Sequence, residues 1–103
     1  MPVISLCVIA PSPASAKKIA TTMVKEHLAA CANILAPCTS VFYWQGKMQS
    51  NSEVPIVFKT SKKKLPRLVA RIRQIHDYEV PCICWQVVKA TKEYEEWVEG
   101  QTK

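Results

Sequence analysis

The chain has 103 residues, 49% of them hydrophobic, with 14 Lys and Arg against 8 Asp and Glu for a formal charge of +6. That length holds one hydrophobic core, so a single domain over residues 1–103 is expected, and the ordinary charge and apolar content exclude a disordered chain. No apolar run nears the ~20 residues that span a bilayer and the start has no signal-peptide pattern, which predicts a cytoplasmic protein with no membrane partner.

Val3-Ile4-Ser5-Leu6-Cys7-Val8-Ile9-Ala10 is a nearly unbroken apolar run between Pro2 and Pro11, the pattern of a central strand. Ser12-Pro13 then gives a helix start, a capping hydroxyl before proline. Ala16, Ile19, Ala20, Met23, Val24, His27 and Leu28 follow at helical spacing. His27, at the edge of that stripe, reads as a packed or hydrogen-bonded residue and not a ligand. A strand region runs from Ala30 to Trp44, with Pro37 marking a bulge or bend. Gln45-Gly46-Lys47 is a turn. The strand that returns from Met48 or Ser52 to Thr60 makes a long hairpin, and Pro55 within it predicts an edge or a bulge.

Ser61 is placed to cap a second helix whose buried stripe is Leu65, Leu68, Val69, Ile72, Ile75 and His76. Lys62, Lys63 and Lys64 oppose the dipole at its start, which hints at an anion or an acidic neighbour. Val80 to Val88 is the next strand. Thr91 to Gly100 forms a terminal helix with Tyr94, Trp97 and Val98 inward.

The fold class expected is therefore α+β, a ferredoxin-like βαββαβ order with a C-terminal helix and an antiparallel sheet in the order 4-1-3-2. Both main helices fall on one face. The other face is too apolar to stay wet, and a two-layer domain has nothing of its own to cover it, so self-association is expected. Five cysteines, with no Cys-x-x-Cys pair, indicate neither a disulfide framework nor a zinc ribbon. Cys7, Cys31, Cys82 and Cys84 lie in apolar runs, where free Cys acts as a small hydrophobe in a reducing compartment.

Polar chemistry gathers at His76-Asp77-Tyr78-Glu79-Val80-Pro81-Cys82, where helix gives way to strand. This stretch, with Val8-Ile9-Ala10-Pro11, Leu28-Ala29-Ala30-Cys31-Ala32-Asn33-Ile34, Tyr43-Trp44-Gln45-Gly46-Lys47, Lys59-Thr60 and Tyr94-Glu95-Glu96-Trp97, resembles the CutA family of divalent-cation tolerance proteins. The resemblance implies a homotrimer similar in architecture to PII signalling proteins, with copper or another divalent metal as its ligand. It departs from the family at Asp77, which replaces a proline, and at Cys82, which replaces a frequent Glu. The positions matching a relative's copper ligands are Val8, Ile75 and His76, so only the last survives.

A rebuilt metal site of His76, Cys82 and Cys7 is the expectation, since the first strand, the second helix and the last strand meet at one sheet edge; thiolate and imidazole suit copper. Cys84 lies one pleat beyond, on the face of Cys82. Asp77 is a further candidate oxygen ligand. His76 also has a metal-free reading, a protonated imidazole against the helix-terminal carbonyls. The alternative function is a PII-like sensor of a small anionic ligand, in a cleft between subunits formed by Lys59, Tyr78, Glu79, Lys47 and Glu53, that signals to an unidentified protein partner. A third is a structural anchoring scaffold. Nucleic-acid binding is disfavoured because no basic-Gly-aromatic strand motif accompanies Tyr43, Trp44 and Trp85, which read as interface anchors. No phosphate loop, His-Glu-x-x-His or nucleophile elbow is present, so catalysis is not expected.

Overall fold

A computed structural model describes residues 2–103. The elements are β1 (Val3–Ala10), α1 (Pro13–Lys25), β2 (Cys31–Ile34), β3 (Cys38–Trp44), β4 (Lys47–Ser61), α2 (Leu65–Ile75), β5 (Ile83–Val88) and α3 (Lys92–Gln101). The sheet runs β2-β4-β1-β5, every pairing antiparallel, with β3 pairing the outer half of β4. Because β2 and β3 together form the expected second strand, this is the ferredoxin-like 4-1-3-2 order.

The break between β2 and β3 and the proline in β4 explain each other. Leu35 donates its N–H to the Pro55 carbonyl at 3.0 Å. In an antiparallel strand a residue's N–H and C=O point to the same side. The donor that Pro55 lacks would thus face Leu35, which lies in the break between the end of β2 and the start of β3. Pro55 lies in an interior strand, contrary to the edge reading, but opposite a local break. At the far end of the hairpin Gln45 (φ 52°) and Gly46 (φ 79°) form a two-residue turn between paired Trp44 and Lys47. Positive φ at both positions matches the right-handed twist of the strands.

Leu6, Val8, Ala10, Val54, Ile56 and Phe58 alternate onto one face of the sheet, where Ile19 and Met23 of α1 and Leu68 and Ile72 of α2 cover them. Ser12 caps α1 as expected, its hydroxyl accepting from the Ser15 N–H at 3.1 Å. Ser61 does not cap α2. It stays paired with Val3 in β4, the Lys64 N–H closes a turn onto its carbonyl at 3.1 Å, and Lys64 takes the cap position with no side-chain bond. Arg71 forks onto both carboxylate oxygens of Glu26 (3.0 and 2.9 Å), tying α2 to α1.

The second face of the sheet is not left wholly open. α3 crosses one end, where Val98 is fully buried against Val3 and Ala30, and Thr102 donates to the Ser61 hydroxyl at 3.0 Å. Trp97, expected inward, is 45% exposed and stacks its ring near Tyr94 instead. His27 lies just past α1 at φ 60°, exposed, its Nδ1 3.2 Å from the Gln101 carbonyl. What α3 leaves uncovered is the stretch around Cys7, Ile9 and Val57.

Candidate metal and ligand site

α2 ends at Ile75, and His76 turns to an extended conformation (φ −72°, ψ 142°) while its N–H still bonds the Ile72 carbonyl. This reversal buries the imidazole against β1. His76 Nδ1 accepts from the Tyr78 N–H at 3.0 Å, so that nitrogen carries a lone pair. The proton therefore sits on Nε2, which donates to the Ile9 carbonyl at 2.8 Å. The ring is a neutral clasp between the turn and the central strand, and neither nitrogen is free to ligate without breaking a bond. A doubly protonated ring would lose the acceptor that Tyr78 uses.

Asp77 is held outward, its Oδ2 accepting from the Ser15 hydroxyl at 2.9 Å. Asp77 thus ties the turn to the first turn of α1. Tyr78 points its hydroxyl to Glu53 Oε2 at 2.5 Å. Burial, followed by the bond to Glu53 and the carboxylate charge, pushes the phenol up to about 12. Glu53 itself is only 5% exposed.

Between this turn and the hairpin arm lies a cleft of about 470 Å³. Phe42 and Trp44 of β3 and Gln49, Asn51 and Glu53 of β4 form one wall. They share a face of the arm because the register pairs Phe42 with Gln49 and Trp44 with Lys47. Asp77, Tyr78, Glu79 and Cys82 form the other wall. Three carboxylates and no lysine or arginine line the cleft. Of the expected ligand residues, Tyr78, Glu79 and Glu53 come together. Lys59 lies opposite Ser5 and Cys31 in the middle of the sheet, and Lys47 at the hairpin tip. Neither lines the cleft. Phe42, Gln49 and Asn51 were missed by sequence reasoning, although their alternation with Glu53 along a hairpin was the available signal.

Cys7 and Cys84 stand directly opposite each other in the β1–β5 ladder. Cys82 precedes the strand, opposite Ile9, whose N–H reaches the Cys82 carbonyl at 3.4 Å. The Cys82 and Cys84 sulfurs are 3.9 Å apart. All five cysteines are free; Cys38, Cys82 and Cys84 are exposed and Cys7 and Cys31 half-buried, so Cys82 and Cys84 meet solvent although they lie in an apolar run. Burial, then Cys84 and Cys38, pushes the Cys7 thiol up; burial, then the hydrogen bond and charge of Cys84, does the same for Cys82. Among the described residues no three His, Cys, Asp or Glu side chains gather as a metal-binding group. Cys7, Cys82 and His76 thus lie around one corner of the sheet, but the imidazole's nitrogens are spent on the backbone.

The sheet order and the helix pair define a ferredoxin-like α+β domain, with an acidic, thiol-bordered cleft at one corner of its sheet. The family model for the CutA1 divalent ion tolerance protein matches residues 4–101, and the chain belongs to that family. The divalent-cation tolerance protein CutA of Thermus thermophilus is 34% identical over 93 residues, covering 89% of this chain and 90% of its own. The chloroplastic CutA of Arabidopsis thaliana is 36% identical over 104 residues, all of this chain but 57% of the relative. The crystal structure of CutA1 from Oryza sativa superposes with a TM-score of 0.94 at 32% identity, covering 100% of this chain and 95% of that one.

Proposed function

We propose that this chain serves divalent-cation tolerance by binding metal ions, copper foremost, as a homotrimer in a reducing cytoplasm, and that it carries out no turnover. Relatives that match most of this chain carry the name divalent-cation tolerance protein. The observation that carries the reading to metal binding is the pair of exposed sulfurs 3.9 Å apart at the rim of an acidic cleft. Soft sulfur favours copper over hard cations. The free state of all five thiols supports a reducing compartment.

Assembly is supported by the apolar residues left in water by a lone protomer. Val41, Tyr43 and Met48 on one face of the hairpin arm are 64–70% exposed, and Trp85 and Val87 on the edge strand are 51% and 67% exposed. A long arm and an unpaired edge are the elements that protomers use to join. The PII-like alternative, sensing of an anion, draws support from the presence of a cleft, but its lining of three carboxylates without a cation favours a positively charged guest.

Anaerobic titration of the reduced full chain with Cu(I) against a chromophoric competitor, beside sedimentation analysis of mass, tests the proposal. Saturation at a fixed ratio per chain in a particle of three chains is the expected result. Absence of saturable binding by Cu(I), Cu(II) and Zn(II) alike overturns metal binding, and a monomer overturns the assembly.

A further inference from the structure

We infer that Cys82 and Cys84 form a two-thiolate site for a soft monovalent cation, Cu(I) foremost, and that His76 is not among its ligands. The inference rests on the metal-binding reading above and names its ligand set. The two residues are separated by one, so on a strand both side chains project from the same face. Their sulfurs are 3.9 Å apart in the metal-free protein. Two thiolates at about 2.3 Å from an ion are about 3.8 Å apart at a tetrahedral angle and about 4.6 Å apart at a linear one, so the observed spacing lies within the range an ion spans. The pair therefore accepts an ion with little movement of either side chain.

The surroundings agree with that chemistry. β5 is an edge strand, and both thiols are exposed, so an ion can arrive from solvent. Cys7 lies across the ladder from Cys84, which adds a third sulfur to the neighbourhood, while the Glu53 carboxylate on the cleft wall places negative charge near Cys82. Each S–H releases its proton to water as the sulfur–metal bond forms, and the copper, supplied as Cu(I), keeps its oxidation state. His76 plays no part, because its nitrogens serve Ile9 and Tyr78.

The test is anaerobic Cu(I) competition on the full chain, the variants Cys82→Ser, Cys84→Ser and their double, and Cys31→Ser, whose sulfur lies 3.5 Å from the Tyr94 hydroxyl, as control. Loss of the chelate should weaken binding roughly 10²–10⁴-fold in either single variant, with Cys31→Ser unchanged. X-ray absorption on the copper should show sulfur neighbours only, and affinity should rise with pH as protons are displaced. All variants are exposed or half-buried thiols, and thermal melting checks that each is folded. If the double variant binds Cu(I) as the wild type does, the site is wrong while metal binding by other ligands stands. If the copper shows an imidazole neighbour that His76→Ala removes, the exclusion of His76 is overturned. If the wild type does not saturate with Cu(I), the two-thiolate site is overturned, and the metal-binding reading falls with it only when Cu(II) and Zn(II) also fail to saturate.

Discussion

The two faces of this sheet are built from the same alternating strands and have opposite characters. On one, Leu6, Val8, Ile56 and Phe58 are sealed under α1 and α2 with nothing polar between them. On the other, Cys7, Cys84, Cys82 and Glu53 face a turn, a cleft and solvent. A period of two lets one strand serve both: from Ile4 to Ala10 in β1, fully buried residues alternate with half-buried ones. The first face accounts for stability and the second holds the groups that can react. His76 is the link, because it closes the helix-packed side while its neighbours Tyr78 and Cys82 open onto the other.

The largest effect expected is on the sealed face. Phe58→Ala removes a fully buried ring from the centre of the core and should cost about 3–5 kcal/mol in denaturant unfolding. A serine at Cys84 should cost little by the same measurement, since that thiol is exposed. Equal losses would mean that the second face is as tightly packed as the first.

His76→Ala comes next, at about 2–4 kcal/mol, because it strands the Ile9 carbonyl and the Tyr78 N–H and opens a gap between them. The loss should be the same with or without a metal chelator. A loss seen only when metal is present would make the imidazole a ligand and would move it to the reactive face.

The division between the faces also decided what could be read in advance. Strand order, helix phase and the Gln45-Gly46 turn follow from local patterns: apolar periodicity, a Ser-Pro start and a glycine where φ must be positive. The site was harder, because hydrogen bonds to the backbone leave no sequence signature. A histidine followed by Asp, Tyr and Glu reads equally well as a ligand or a clasp, and only the partners of its two nitrogens distinguish them. The lysine contribution to the cleft failed for a related reason. Lys59 and Glu53 share a strand face, yet six residues of strand separate them by about 20 Å. Cys84 was placed beside Cys82 by alternation alone, but the contact of their sulfurs depends on rotamers. Ser61 shows the converse error: a good capping residue by type, it was held in β4 by pairing with Val3.

The smallest effect concerns the polar pair that borders the cleft. Tyr78→Phe removes only the hydroxyl donated to Glu53, in a half-buried setting, and should cost about 1 kcal/mol at neutral pH. Its pH dependence is more informative than its size. The phenol is raised from 10.0 to about 12 in the folded protein, so the native state binds its proton more tightly than the unfolded chain does. The stabilisation is complete below pH 10 and is lost as the pH rises through about 12. The difference in stability between wild type and Tyr78→Phe should therefore be flat from neutral pH to 10 and shrink above it. Tyrosinate absorbance gives a second readout: Tyr78 and Tyr94 both ionise at about 12, and the variant should lose one equivalent from that late phase. Glu53→Gln should instead keep the equivalent and bring it to lower pH, because the carboxylate charge that opposes ionisation is gone. If Tyr78 ionises at its ordinary value in the wild type, the Tyr78–Glu53 bond is not formed in solution, and the second face is open across its whole width.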